Sequence, residues 1–212
     1  MPALNEEKNV GRVLEVLLSS KDLDEVILVD DGSTDKTAEI GEKMGAKVVR
    51  IAKNSGKGNA MVQGIKRTDA GIIVFFDADL IGLTVEHIAL LVEPMLKEEV
   101  KMCVGARDRS LGLPEVIIKI DPLMAIGGER AIRRELLENI PKNFIEGFAI
   151  EIALNQYCQK HKLSVKYVTL KNLTHVVKEK KWGLAKGFSA RVKMIFQIIK
   201  IRLAKNEFKK NI

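Results

Sequence analysis

The residues best placed to do chemistry in this chain are the two carboxylates of Asp77-Ala78-Asp79. Alternate residues of an extended segment point to one side, so Asp77 and Asp79 can face one ligand together. Two carboxylates combined with diphosphate oxygens suit Mg²⁺ or Mn²⁺, and such an ion neutralises charge that grows on a departing phosphate group. The plain alternative is a solvated turn. Against it stands Ile72–Phe76, the most apolar run of the chain, which delivers the pair at its end.

Two further clusters hold polar chemistry. In Asp30-Asp31-Gly32-Ser33-Thr34-Asp35, a carboxylate can accept the imide hydrogen of a base or bind a ribose. The same residues also suit an Asx-type turn with helix capping by Ser33, and both roles can hold together. Asn54-Ser55-Gly56-Lys57-Gly58-Asn59 supplies glycines, amides and a cation ahead of a helix, an arrangement that suits a phosphate. It lacks the spacing and the Lys-Ser/Thr ending of a P-loop.

These clusters need a scaffold, and the hydrophobic pattern supplies one. Helical stripes alternate with short apolar runs. Asn5 is positioned to cap a helix carrying Val10, Val13, Leu14, Leu17 and Leu18. Val26–Val29 reads as a buried strand, and a helix then runs to Met44 and stops at Gly45. Strands are expected at Lys47–Ile51, Ile72–Phe76, Met102–Ala106 and Val165–Leu170. Helices are expected from the 54–58 loop to about Arg67, from Thr84 to Lys97 with Pro94 inside, over Glu129–Asn139, and over Phe144–Lys160. Arg107–Pro122 follows neither period.

Such alternation means an α/β fold, a mostly parallel Rossmann-like sheet with helices on both faces. Ligands of these sheets bind beyond the carboxyl ends of the strands, where both acidic clusters fall. Pro2-Ala3-Leu4-Asn5 reads as a loop that should follow a strand. The first strand is therefore expected to be missing from this sequence, with the natural start several residues upstream.

Four blocks carry a family resemblance: Pro2-Ala3-Leu4-Asn5-Glu6-Glu7, Val29-Asp30-Asp31-Gly32-Ser33-Thr34-Asp35-Lys36-Thr37, Asn54-Ser55-Gly56-Lys57-Gly58-Asn59-Ala60 and Asp77-Ala78-Asp79. In this order they resemble family 2 glycosyltransferases of the GT-A fold, most closely the dolichyl- or polyprenyl-phosphate mannosyl- and glucosyltransferase branch. The resemblance implies an inverting hexose transfer from a UDP- or GDP-sugar with a divalent metal, Mg²⁺ or Mn²⁺. It implies that Pro2, Asn5 and Glu6 line the nucleotide pocket and that Asp31 touches the base. Lys57 would lie near the diphosphate or ribose, Asp77 and Ala78 beside ribose or metal, and Asp79 on the metal. Arg130, in Gly128-Glu129-Arg130-Ala131, matches a segment near the acceptor and is a candidate ligand for an acceptor phosphate. Glu146 and Glu151 are candidates for a general base toward a hydroxyl acceptor, and His175 for a late metal ligand. Lys178 and Lys181, before Trp182-Gly183, are placed to close over phosphate. Where that branch often has Gln two positions past the second aspartate, this chain has Ile81.

The 212 residues carry a net charge of +7, unevenly distributed. From Lys171 onward there are 12 Lys and Arg against two acids, whereas the preceding part is slightly acidic. This divides the chain into a glycosyltransferase-like domain over 1–170 and a basic amphipathic segment over 171–212. Within the latter, Val192, Ile195, Phe196, Ile199 and Leu203 lie on one helical face, interrupted by Lys193, Lys200 and Arg202. That pattern suits a helix lying on an anionic membrane better than one crossing it, and it has few aromatics for stacking on nucleic-acid bases. A cytoplasmic enzyme, peripheral at the cytoplasmic face and acting on a polyprenyl phosphate, is the resulting expectation; transfer to a saccharide hydroxyl, or a non-catalytic nucleotide-sugar binder, stays open. A nucleotidyltransferase would need a Gly-rich, basic first loop that Pro2–Glu7 does not provide. Cys103 and Cys158 sit in apolar patterns and read as buried free thiols.

Overall fold

The structure, a computed structural model, describes residues 1–107, 128–139 and 149–176. Glu146, Lys178, Lys181, Trp182 and the helical face expected from Val192 to Leu203 lie outside the described residues.

The chain opens with a two-residue strand, β1 (Pro2–Ala3), then α1 (Val10–Ser19), β2 (Ile27–Asp30), α2 (Thr37–Met44), β3 (Lys47–Arg50) and α3 (Lys57–Ile65). Next come β4 (Ile72–Phe75), β5 (Leu80–Ile81), α4 (Val85–Leu96), β6 (Met102–Arg107), β7 (Arg130–Arg133) and α5 (Arg134–Glu138). The described part closes with α6 (Ala149–Lys160), β8 (Val165–Leu170) and β9 (Thr174–His175). Strands β1, β2 and β3 form one parallel ladder, with β2 in the middle. A second sheet runs β4-β7-β6-β8. In it β7 is antiparallel to both neighbours and β6 is parallel to β8. A small antiparallel pair joins β5 to β9.

The α/β architecture expected from the sequence is present, and side-chain alternation explains it. Ile73 and Phe75 of β4 join Met102, Val104, Ile132 and residues of α6 in one core. Ile72 and Val74 face the other core, with Cys103, Ala131 and the buried side of α4. A strand that buries both faces reads as a continuous apolar run. Helix α1 buries Val10, Val13, Leu14 and Leu17, the stripe its sequence predicted. Helix α2 ends on Gly45 at φ 90°, a left-handed residue that lets Ala46 N–H return to Gly41 O at 3.0 Å. Both cysteines are free and buried, and burial pushes each thiol up to about 11.

Three expectations need correction. Pro2 and Ala3, read as a loop, form β1, pairing with Val29 and Asp30. Proline is tolerated as the first residue of a strand because it withholds only its own amide. Helix α1 begins at Val10 and not after Asn5, because a tight turn brings Asn9 and Val10 N–H onto Glu6 O at 2.9 and 2.8 Å. Arg130–Arg133, read as helix, is the central strand β7. Its residues are good helix formers, but Arg130, Ala131 and Ile132 are all fully buried between β4 and β6, and tertiary pairing overrides local propensity.

Between β2 and β4, beneath the short β1, lies a mainly apolar cavity of about 560 Å³ lined by Met1, Val26, Ile27, Met61, Ile72 and Val74, among others. It lies against the strand bodies, away from the carboxylates of Asp77 and Asp79.

Candidate active site

Three loops leave the strand ends and lock onto one another. Asn5, at φ 54°, accepts Thr34 N–H on its side-chain oxygen at 2.9 Å and donates its own amide to Ser33 Oγ at 2.9 Å. Glu6, 8% exposed, donates its amide to Thr37 Oγ1 at 2.7 Å and accepts from the Asn9 side chain at 2.8 Å. Asp30 accepts Ser33 N–H at 3.3 Å. The third loop closes over Gly32, whose φ is 78° and whose missing Cβ would stand 2.7 Å from Asn54 N. The residues expected to line a nucleotide pocket thus come together, with Asn5 and Glu6 serving as the ties between loops.

Asp31 has a role the sequence did not suggest. It is 4% exposed, and one carboxylate oxygen accepts Ser55 N–H at 2.9 Å and Ser55 Oγ–H at 2.6 Å. The other accepts Gly56 N–H at 2.9 Å. The carboxylate expected at a base therefore anchors the 54–56 loop and, through it, the start of α3.

Lys57 is the first residue of α3. Its ammonium lies 2.6 Å from Asp77 Oδ1 and 2.7 Å from Glu151 Oε1. Burial opposes that charge, but the Asp77 and Glu151 carboxylates outweigh it and raise the ammonium above its usual range, so Lys57 stays charged through neutral pH. Glu151, in the first turn of α6, is 3% exposed. The trio joins residues far apart in the chain, and no local motif announces the contact with Glu151.

Behind the trio stands Arg130, fully buried, donating to Glu151 O at 3.2 Å and to Asn155 Oδ1 at 3.4 Å. Its guanidinium holds the first turns of α6. The side chain expected at an acceptor phosphate thus also supports the start of α6. Asp79 accepts Val176 N–H on its carbonyl at 3.2 Å, and Ala78 is 4% exposed. His175 stands opposite Leu80 in the β5–β9 ladder, while Val176 is the residue that meets Asp79. Among the described residues no three His, Cys, Asp or Glu side chains are gathered closely enough to hold a metal ion by themselves, and His175 stays a candidate ligand beside Asp77 and Asp79. Two carboxylates beside a turn, with Asp77 partly exposed, fit a hard divalent ion that takes most of its ligands from phosphate and water.

Comparison with known proteins identifies the family. The family model described as Glycosyl transferase family 2 matches residues 1–150. A glucosyl-3-phosphoglycerate synthase from Mycolicibacterium smegmatis is 33% identical over 187 residues, covering 73% of this chain and 61% of its own length. The chain thus spans about three fifths of that relative. Two solved structures of the Mycobacterium tuberculosis glucosyl-3-phosphoglycerate synthase are similar throughout. One, with Mn²⁺, UDP-glucose and phosphoglyceric acid, has a TM-score of 0.78 at 27% identity, covering 96% of this chain and 77% of that one. The other, with Mg²⁺ and UDP, has a TM-score of 0.73 at 27% identity, covering 93% and 77%. With the Asp-x-Asp turn, the interlocked strand-end loops and the α/β sheet already in place, the match over residues 1–150 settles the assignment: this chain belongs to glycosyl transferase family 2.

Proposed function

We propose that this chain moves a hexose from a UDP-sugar to a small phosphorylated acid of the phosphoglycerate type, with Mn²⁺ or Mg²⁺ as cofactor. The observation that carries the reading is the Lys57–Asp77–Glu151 trio beside Asp79, on a chain similar to proteins solved with UDP-glucose, Mn²⁺ and phosphoglyceric acid. Asp77 and Asp79 would hold the ion, which neutralises charge on the leaving UDP. Lys57 fixes the direction of Asp77 and keeps two neighbouring carboxylates from repelling each other. Asp31 shapes the pocket wall by holding the 54–56 loop, and Asn5 and Glu6 hold the facing loops.

A phosphorylated acceptor is common to this reading and to the polyprenyl phosphate expected from sequence. The small acid is preferred because the similar proteins carry it, whereas the lipid acceptor drew its support from the basic segment beyond the described residues. Among the described residues no helix is long and apolar enough to cross a membrane.

The test is a matrix of UDP-glucose, GDP-glucose and GDP-mannose against 3-phosphoglycerate and a short polyprenyl phosphate, with and without Mn²⁺, read as nucleoside diphosphate release. Turnover with UDP-glucose, 3-phosphoglycerate and Mn²⁺ is expected. Turnover only with a lipid acceptor, or full activity in excess EDTA, would overturn the acceptor or the metal respectively.

A further inference from the structure

Gly128 directly precedes the Glu129-Arg130 segment that enters β7, and it lies against the functional carboxylate. A Cβ built there would stand 2.5 Å from Asp77 Oδ2, 2.7 Å from Oδ1 and 2.8 Å from Cγ. These are the three nearest atoms, so the space a side chain would need is the space the carboxylate fills. A methyl group at residue 128 would meet the Asp77 carboxylate first.

Asp77 has little freedom to retreat while keeping its partner. Lys57 grips its Oδ1 at 2.6 Å and is itself held by Glu151 and by its place at the start of α3. Two residues past Gly128, Arg130 grips Glu151 O from behind. One short stretch, 128–130, thus touches the carboxylate at one end of the trio and the backbone of the carboxylate residue at the other. We propose that Gly128 is a positioning residue, whose missing side chain sets the direction of the Asp77 carboxylate toward Lys57 and the cation-binding edge. The catalytic part of this inference rests on the proposed function; the steric coupling of residues 128 and 77 does not.

The experiment is a double-mutant cycle with Gly128→Ala, Asp77→Ala and the pair, on the full chain. Three quantities are read: thermal midpoint, Mn²⁺ affinity in the presence of UDP by electron paramagnetic resonance of free Mn²⁺, and the split between kcat and KM. Gly128→Ala alone is expected to weaken Mn²⁺ binding roughly tenfold, within the usual range for a lost supporting contact. It should also lower kcat by about 10–100-fold, the scale of a misplacement near 1 Å, with the acceptor KM little changed. In the Asp77→Ala background the same methyl should cost little further in stability or in Mn²⁺ affinity, because the carboxylate it meets first is gone. Additive losses in both backgrounds, or wild-type Mn²⁺ affinity and kcat in Gly128→Ala, would overturn the inference. If the wild-type chain binds no Mn²⁺ with UDP and turns nothing over, the proposed function fails. The stability cycle then still decides the coupling of Gly128 to Asp77. Should Gly128→Ala not fold, Gly128→Ala with Asp77→Gly is expected to restore folding, and failure to do so would count against the proposal.

Discussion

An ammonium set between two carboxylates, as at Lys57, fixes three side chains at once, and the loop that presents it depends on Asp31. Removing the Asp31 carboxylate leaves the Ser55 amide without its acceptor, at about 1–3 kcal/mol if that donor stays buried, and leaves the Gly56 amide to Asn54 Oδ1. Asp31→Ala is therefore expected to raise the donor KM and also to lower kcat, because Lys57 follows Gly56 directly. A contact to the base alone would change KM and leave kcat intact, so steady-state kinetics separate the two roles. Asp79→Asn is expected to cut turnover by about a hundredfold, the scale of losing one preorganised electrostatic contact, with Mn²⁺ dependence weakened in the same titration. Wild-type turnover in that variant would remove Asp79 from the metal site. The sequence exposed Asp31, Lys57, Asp77 and Asp79 as chemically able, because each sits in a short polar block after an apolar run. It could not expose which of them face ligand and which face one another. Asp31 meets Ser55 and Lys57 meets Glu151 through the fold alone, and Gly128 carries no side chain to signal that it cradles Asp77.

Elements were legible where one period dominated. Helices α1, α2 and α4 and strands β2, β4, β6 and β8 fall within a few residues of their sequence expectations, since each buries the stripe or run that announced it. Strand β7 was not legible: Glu129-Arg130-Ala131-Ile132-Arg133-Arg134 has helical composition, and only insertion between β4 and β6 makes it a strand. The turn before α2 offers a test at this scale. Desolvation pushes the Asp35 carboxyl upward, but hydrogen bonds from the Thr37 hydroxyl and from the Glu7 and Thr37 amides outweigh it and hold the group below the usual aspartate range. A depressed carboxyl contributes stability that is present above its unfolded pKa and is lost as pH falls through the folded one. Asp35→Ala is thus expected to destabilise by about 1 kcal/mol at pH 7, the usual worth of a side chain capping a helix start. Urea denaturation at pH 7 and near pH 2.5 checks this. The gap between variant and wild type should shrink in acid, and an equal gap at both would show that the carboxylate charge contributes nothing.

At the scale of the whole molecule, the weak place is the seam between the β1–β2–β3 ladder and the β4-β7-β6-β8 sheet. Strand β1 is two residues long, and the cavity beside it is walled by apolar side chains of both neighbouring strands. The ladder is already in register: Met1 N–H donates to Ile27 O at 2.7 Å and Met1 O accepts Val29 N–H at 2.8 Å, so the next bond upstream would fall on the Ile27 amide. Burial also presses on the amino group of Met1, lowering it to about 5 from 8.0, with Asp77 opposing and Lys57 adding to the effect. An amine lowered on folding releases a proton, so stability should rise with pH between about 5 and 8 and level off above. A fused extension of about five alternating Val and Thr residues ahead of Met1, the usual strand length, would run along β2 and replace that amine with an amide. We expect it to fill part of the cavity and raise the thermal midpoint by about 4–8 °C, equivalent to roughly 2 kcal/mol for a domain of this size. A Gly/Ser extension of equal length should remove the pH slope as well, since it also masks the amine, yet leave the midpoint nearly unchanged at pH 8. Calorimetry of the three proteins at pH 5.5 and 8 separates these effects. If the apolar extension gains no more than the Gly/Ser one, the cavity does not accept a strand, and the two halves of the sheet are held together by their helices alone.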